Sequence, residues 1–427
     1  MIETYKFRLY PTDEQKVLLA KHFGSVRFVY NWYLDYNQKQ YTTNEKFVGW
    51  MSLIPSQDFK KLKAENPWLK EINSQSIISS ISHCDKAFQR FFKHVSGFPK
   101  FKSKRSNQFS FECPQGLELD FKHKKILIPK FKKDGGIKCV FSKKVKSGKI
   151  GTATISRNSA DQYFISFIVH TAEKEKELID KSKITKENSI GIDFGLKHFL
   201  ILSNGLKINS PEFFKHTLDK LRLRQRQFSK KQKDSRNHEK ARIKVAKIHN
   251  KIKNQRMDFL HKLSTDLVND NQIDCICIED LNMNGMSKLW GRKVRDLSYH
   301  AFTSMLDYKL KHRGKHLLKI GRFDPSSQIC SHCGHRQKLS LDERVYDCPE
   351  CGTTIDRDMN AAINIRNFAM RKLISNTVNM IDTAGRAGIN ACGDGSSGLS
   401  DVSCLSETAV CEARKIRRKI TSDGNDL

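Results

Sequence analysis

The chain has 427 residues, 38% of them hydrophobic and 29% charged, a composition that allows up to about three globular domains. It has no apolar run of about 18 residues and no apolar stretch at its start, so we expect no transmembrane helix, no signal peptide and a cytoplasmic location. Lys and Arg total 77 against 46 acidic residues, and the net charge of +31 predicts a polyanionic partner, with nucleic acid the first candidate.

The first part of the chain changes from a strand to helices and then back to strands. Residues 1–10 alternate polar and apolar side chains up to Pro11, which predicts a strand. Residues 11–95 carry apolar side chains at helical spacing, and a period of two returns over 96–172, where glycines punctuate it. We therefore predict a β-barrel formed by residues 1–10 and 96–187, with the helical segment inserted into it.

A short apolar strand, Ser189–Asp193, opens the second part and ends in a carboxylate. A hairpin with an Asn-Gly turn follows it, and residues 212–270 are then helical. Within that region, residues 215–256 include 16 basic and 3 acidic residues. Because there are too few acids for compensating pairs, we expect this segment to contact phosphates rather than to be only a solvated helix face.

A second apolar strand ends at Glu279, and a helix starts near the Asp356-Arg357-Asp358 triplet. Any one of these acids could simply end a strand or cap a helix. Their order, two strand ends and then a helix start, predicts that Asp193, Glu279 and one Asp of the triplet meet at one edge of an open α/β sheet. Such a cluster would hold two Mg²⁺ ions about 4 Å apart, which suits phosphodiester hydrolysis.

Asp356 and Asp358 point about 200° apart on a helix, so only one of them can face the metal ions. Asp358 is favoured because Ala361 and Ala362, three and four residues later, would let that face lie close to the sheet. We expect Asp356 to cap the helix or to pair with Arg357 or another nearby base.

Four of the 12 cysteines form two CxxC pairs with 14 residues between them: Cys330, Cys333, Cys348 and Cys351. Four thiolates complete a tetrahedral Zn²⁺ site, so we predict a structural zinc ribbon over residues 322–355 rather than coincidental thiols or a redox pair. The other eight cysteines are expected to be reduced thiols. After Phe368 the sequence has no aromatic residue and is rich in Gly and Ser, which predicts a disordered tail from 374 to 427.

These motifs resemble those of the TnpB family, the OrfB proteins of transposons. The acids lie in GIDFG, IEDL and DRDMNAAINI, and the cysteines lie in CSHCG and CPECG. YKFRLYPTDEQ, FVYNWYL, INSQSI and GFPKFKSK in the first part also match the family, as does TAGRAGINACGDG near the end. The resemblance covers essentially the whole chain in the expected order.

The resemblance implies an RNA-guided DNA endonuclease related to type V CRISPR effectors. It would bind a guide RNA from the transposon end, recognise a short transposon-adjacent motif on double-stranded DNA, and associate with the nucleoid when bound to DNA. Base pairing would read the sequence while the protein contacts the backbone. The family's catalytic positions carry over as Asp193, Glu279 and Asp358, because its metal ligand is the second Asp of the helix motif.

The fold implied by the resemblance is α+β and multidomain. The barrel would be a wedge domain and residues 11–95 a recognition domain. A RuvC or RNase H-like α/β domain would comprise residues 188–321 and 356–373, with the zinc ribbon inserted as a nucleic-acid-binding element.

Three alternatives remain: a transposase of the same fold, a catalytically silent RNA-guided repressor, and a zinc-ribbon RNA-binding protein. The intact set of acids argues against the last two, and no protein partner is evident.

Overall fold

The computed structural model describes residues 1–104, 109–174, 176–281, 291, 297–340 and 342–386, with residues 376–386 given by their backbone alone. The described residues divide into two compact units, residues 2–172 and residues 173–386. No helix among them combines the length and the hydrophobicity needed to cross a bilayer.

The first unit is built on a seven-stranded sheet in which every neighbouring pair of strands is antiparallel. Its strands are β1 Ile2–Tyr10, β2 Phe109–Cys113, β3 Glu118–Asp120, β4 Lys125–Leu127, β5 Ile137–Val140, β6 Lys149–Arg157 and β7 Tyr163–His170. The order is β2-β6-β7-β1-β5-β4-β3. Tyr5, Phe7 and Leu9 of β1 point into the core, as the period-two pattern predicts.

Helices occupy the chain between β1 and β2. They are α1 Asp13–Asn44, α2 Trp50–Leu53, α3 Gln57–Glu65 and α4 Ser74–Phe92. Thr12 and Gln15 form a capping box at the start of α1, which fixes where the helix begins. The first half of α1 contributes Leu19, Phe23 and Val26 to the core of the sheet, and its second half packs into a separate core among the helices.

The predicted barrel is open. Its edge strands β2 and β3 do not pair with each other in the described part of the chain, so the sheet is a half-barrel. The physical reason is that Leu19, Phe23 and Val26 of α1 pack against the apolar side chains of the sheet, so the edge strands need not meet to bury these side chains.

The second unit contains a five-stranded mixed sheet in the order β10-β9-β8-β11-β12. These strands are β8 Ser189–Asp193, β9 His198–Leu202, β10 Lys207–Asn209, β11 Cys275–Glu279 and β12 His316–Ile320. β8, β11 and β12 are parallel to one another, and β9 and β10 are antiparallel additions at the β8 side. Gly205 has φ of 89° in the predicted hairpin turn, a conformation that favours glycine.

Helices cover both faces of this sheet. The described helices of this unit are α5 Phe213–Ser229, α6 Arg236–Asn269, α7 Tyr299–Arg313 and α8 Arg357–Arg386, and α5 packs against α6. α6 and α7 pack on one face, and α8 packs on the other against Cys275 and Cys277 of β11. Between β12 and α8 the chain forms a small two-stranded ribbon of β13 Val345–Asp347 and β14 Thr354–Asp356.

Two elements differ from the expectations. The basic helical region is interrupted between Ser229 and Arg236, so it forms two packed helices.

The second difference is the length of the last helix. α8 continues to Arg386, so residues 374–386, expected to belong to a disordered tail, are helical. Each further residue adds a hydrogen bond at little cost once a helix is nucleated, and no proline interrupts this stretch. Residues 387–427 of the predicted tail lie outside the described residues.

Gly191 in β8 permits the close approach of α8. A Cβ atom built on Gly191 would overlap the carbonyl oxygen of Ala362 and would lie 3.0 Å from Cβ of Arg366. Ala361 and Ala362 are both buried at this contact, so the helix backbone lies directly on the strand.

We expect Gly191→Ala to lower the free energy of unfolding of this unit by about 2–3 kcal/mol, because the overlapping atom belongs to backbone and cannot turn away. Denaturant unfolding of the purified protein measures this change. The matched control is Gly24→Ala in α1, where a Cβ would meet nothing within 4 Å. The control should be neutral or stabilising, and equal effects of the two substitutions would contradict the close packing.

Candidate active site

Three carboxylates converge at one edge of the mixed sheet. Asp193 ends β8 and Glu279 ends β11, and these parallel strands are in register through Ile192 and Ile278. Asp358 lies in the first turn of α8. All three side chains line one open cavity of about 420 Å³. The strand ends and the helix start therefore meet where the sequence predicted.

Burial and repulsion from neighbouring acids disfavour ionisation of Asp193 and Glu279. Burial raises the pKa of Asp193 to about 7, and repulsion from Asp358 and Glu279 adds to this effect. Burial also raises the pKa of Glu279 to about 7, with repulsion from Asp324 and Asp280 contributing. An opposite charge in the cavity would reverse both shifts.

The chemistry of these donors fits a divalent cation. Carboxylate oxygens are the hard ligands that Mg²⁺ prefers, and the repulsion among them would be relieved by its charge. Within the ranges that the structure describes, however, only the four cysteines have ligand atoms already close enough to share a metal ion. The three acids line the same cavity, but their carboxylate oxygens are farther apart than the ligand atoms of the four cysteines.

Asp356 lies beside the site and holds the start of α8. Its Oδ1 accepts hydrogen bonds from the backbone N–H groups of Asp358 and Met359, at 3.1 and 3.0 Å. Its Oδ2 lies 2.6 Å from Nζ of Lys207 in β10. Burial raises the pKa of Asp356, but these hydrogen bonds outweigh burial and lower it overall. Asp356 is therefore a helix cap, and its basic partner is Lys207 rather than Arg357.

Sequence reasoning missed Asp324, a fourth acid that lines the cavity. It follows β12, the third parallel strand, and its Oδ2 accepts the backbone N–H of Gly321 at 2.7 Å. β12 ends at Ile320, four residues before Asp324, so the pattern of a strand that ends in a carboxylate does not identify this acid.

Three arginines also line this cavity: Arg322, Arg336 and Arg357. Arg322 approaches Asp280 at 3.4 Å, and Arg357 donates to the backbone carbonyl of Ser340 at 2.7 Å. The cavity therefore has an acidic centre with guanidinium groups on its walls. Guanidinium groups are suited to hold phosphate oxygens.

The four cysteines form one cluster. Sγ of Cys330 lies 3.7 Å from Sγ of Cys351, and Sγ of Cys333 lies 3.5 Å from Sγ of Cys348. A tetrahedron with Zn–S bonds of about 2.3 Å has edges of about 3.8 Å, so the four thiols fit one zinc ion. The histidines beside the knuckles are not in the cluster.

Each knuckle is a tight turn closed by a glycine. The N–H of Gly334 donates to the carbonyl of Cys330 at 3.0 Å, and the N–H of Gly352 donates to that of Cys348 at 2.9 Å. Both glycines have positive φ, of 84° and 67°. The turns aim both thiols of each pair at the same point.

Two buried asparagines connect the ribbon to α8, and sequence reasoning did not identify them. Asn360 accepts a hydrogen bond from the N–H of Ser331 at 2.9 Å and donates to the carbonyl of Ile329 at 2.7 Å. Asn364, one turn later, donates to the carbonyls of Ser326 and Ile329. The helix that carries Asp358 is therefore bonded directly to the segment that enters the first knuckle.

The basic segment 215–256 lies in the hairpin formed by α5 and α6. This hairpin has its own small core of Leu221, Ile248 and Ile252. Asp219 and Glu239 pair with arginines three residues further along their own helices, at 3.3 and 2.7 Å. Two of the three acids of this segment pair within their own helices, and 16 basic residues remain against them, so the hairpin presents an excess of positive charge.

Comparison with protein families gives three matches along the chain. A model described as "Probable transposase" matches residues 169–289, and one described as "Cas12f1-like, TNB domain" matches residues 299–365. One described as "Helix-turn-helix domain" matches residues 1–46, which here form β1 and the single helix α1.

Among solved structures, a Cas12f1–sgRNA–target DNA complex is similar over 86% of this chain and 99% of that one, with a TM-score of 0.45 and 15% identity.

Two relatives match over most of both chains, and each is provisionally named an RNA-guided DNA endonuclease. The protein from Streptomyces pristinaespiralis is 34% identical over 365 residues, which cover 84% of this chain and 88% of the relative. The protein from Escherichia coli strain K12 is 30% identical over 384 residues, which cover 85% and 91%. With matches of this identity and extent, the chain belongs to the TnpB family of transposon OrfB proteins.

Proposed function

We propose that this protein is an RNA-guided DNA endonuclease that hydrolyses phosphodiester bonds with Asp193, Glu279 and Asp358. The observation that carries the proposal is the convergence of these three acids on one cavity. The names of the relatives from Streptomyces pristinaespiralis and Escherichia coli support the activity, the RNA guide and the DNA substrate. Guide and target would meet the basic hairpin of α5 and α6 through their phosphates.

The domain assignment is also a proposal. The order of three parallel and two antiparallel strands, with helices on both faces, supports a RuvC or RNase H-like domain formed by residues 188–321 and 356–373. The ribbon of residues 322–355 would be a target-binding insertion in it. The half-barrel would act as the wedge domain, and the helices within residues 11–95 as the recognition domain.

Two Mg²⁺ ions bound by the three acids would activate a water molecule and stabilise the leaving oxygen. The protein's own residues would hold the substrate and keep the acids in position. Lys207 and Asp356 fix the first turn of α8, and with it Asp358. The Tyr299 hydroxyl donates to the carbonyl of Gly195 and so restrains the turn that follows Asp193.

A transposase is the second candidate, because the family model that matches residues 169–289 is described as one. Strand transfer would use the same acids, so the structure of the site does not separate the two reactions. Sequencing the DNA products does separate them: hydrolysis gives free ends only, whereas strand transfer joins the cut strand to a new one.

Substitution of the two aspartates at the start of α8 should have different effects. Asp358→Asn should lower the cleavage rate by about 1,000-fold or more, because several kcal/mol of charge stabilisation are lost. Asp356→Asn should retain cleavage and lose at most about 1 kcal/mol of stability, because Asn still caps a helix. The assay uses protein purified with its own bound RNA, which is sequenced, and a plasmid that carries the matching target.

Asp193→Asn should bind the matching plasmid without cutting it. The assignment of the third acid is reversed if Asp358→Asn cuts the plasmid and Asp356→Asn does not. Failure of the unsubstituted protein to cut any plasmid that matches its RNA would refute the proposed activity.

Cleavage should rise with pH through about 7. Asp193 and Glu279 must be ionised to hold cations, and burial raises the pKa of each to about 7. We expect the rate to be about 10- to 100-fold lower at pH 6 than at pH 8, as one or both groups become protonated. Since Mg²⁺ and protons compete for the same oxygens, a higher Mg²⁺ concentration should move the midpoint to lower pH. If the midpoint of the pH profile did not change with the Mg²⁺ concentration, the proposed role of these acids would be contradicted.

We propose that the four cysteines bind one structural zinc ion. Cys330→Ser should lose about one equivalent of zinc in elemental analysis and lower the stability of the ribbon, because zinc binding contributes directly to folding. The control is Cys277→Ser, whose thiol is buried in the mixed sheet outside the cluster and whose zinc content should not change. Undiminished zinc in Cys330→Ser would place the metal elsewhere.

A further inference from the structure

Phe323 is almost fully exposed to solvent, although it lines the cavity that holds the carboxylates. Its exposed fraction is 93%, the highest among the large hydrophobic side chains that the structure describes, with Met51 next at 72%. A single exposed apolar residue is ordinary on a protein surface. The location of this residue and the rigidity of its backbone make it informative.

The backbone on either side of Phe323 is fixed. The N–H of Asp324 donates to the carbonyl of Gly321 at 3.2 Å, and the N–H of Gly321 donates to the Asp324 carboxylate at 2.7 Å. These two bonds close a turn with Phe323 at its third position. β12 precedes the turn, and the carbonyl of buried Ser326 after it accepts a hydrogen bond from Asn364 of α8. The hydrogen-bonded turn therefore fixes the backbone that carries the exposed ring of Phe323.

The surroundings of the ring suit a single nucleic-acid strand. Arg322 precedes Phe323 in the turn, and Arg336 and Arg357 lie on other walls of the same cavity. Arginines that hold phosphates and an aromatic ring that stacks on a base are the combination by which proteins bind unpaired strands. In a duplex the faces of the bases are already covered by their neighbours, so this ring finds a partner only where a strand is unpaired.

We propose that Phe323 stacks on an unpaired base of the strand that is being cut, close to the scissile phosphate. This inference rests on the proposed nuclease function and adds a specificity element to it. The ring binds the base next to the reaction, and the site thereby favours a separated strand over a duplex.

The test is a double-mutant cycle between the protein and its DNA. Phe323→Ala should lower kcat/KM for a matching target by about 5- to 100-fold, the range expected for the loss of one stacked base. A target with a single abasic residue at the stacking position should show the same loss with unsubstituted protein. The two changes together should cost no more than either alone, and Phe323→Trp should retain activity.

The control variant is Tyr308→Ala, which removes an exposed ring of α7 that does not line this cavity. It should leave kcat/KM unchanged. The proposal is overturned if the losses from Phe323→Ala and from every abasic position are additive, or if Phe323→Ala cuts as well as the control.

A binding measurement keeps this test independent of cleavage. The full-length Phe323→Trp variant is mixed with a short single-stranded oligothymidylate in Ca²⁺. Its tryptophan fluorescence should be quenched more than that of unsubstituted protein, because the added indole stacks on a base. Equal quenching would refute stacking even if the chain cuts no target, whereas extra quenching with no cutting would refute only the proposed nuclease activity.

Discussion

The contact between β8 and α8 determines most of the architecture of the second unit. Gly191 has no side chain where the backbone of Ala362 crosses it, so helix and strand approach as closely as two backbones can. This contact brings Asp358 at the helix start to the cavity that also receives Asp193 at the strand end. It also directs Asn360 and Asn364 toward the ribbon. The acidic cavity and the attachment of the cysteine cluster therefore depend on the same packing.

Charge is distributed unevenly in this protein. The chain carries a net charge of +31, yet its candidate active site gathers Asp193, Glu279, Asp358 and Asp324 around one cavity. Such a cluster is unfavourable by itself, as the raised pKa values of Asp193 and Glu279 indicate. An acidic centre surrounded by basic walls attracts cations to the middle and phosphates to the rim. A polyanion held by the basic walls would be repelled by the acidic centre when metal is absent.

The sequence predicted elements whose cause is local. β8, β11 and the start of α8 follow from short apolar runs and a helix motif, and the CxxC pairs follow from spacing alone.

The sequence did not predict features that depend on distant residues. The partner of Asp356 is Lys207, which belongs to a hairpin far away in sequence. The opening of the barrel depends on which face of α1 meets the sheet, and periodicity does not reveal what an apolar face will contact. The sequence also did not predict that Phe323 is exposed, because an aromatic residue beside a strand normally suggests a core position.

The order of these elements along the chain affects when the site forms during synthesis. The ribosome releases β8 with Asp193 first, then β11 with Glu279, then the ribbon, and α8 with Asp358 last. Until α8 emerges, the face of the sheet around Cys275 and Cys277 stays uncovered and the cavity lacks one wall. A chain that ends before α8 therefore contains the half-barrel and the basic hairpin of α5 and α6 but has an incomplete set of acids. Any property that needs the full set of acids is therefore acquired only with the last described helix of the chain.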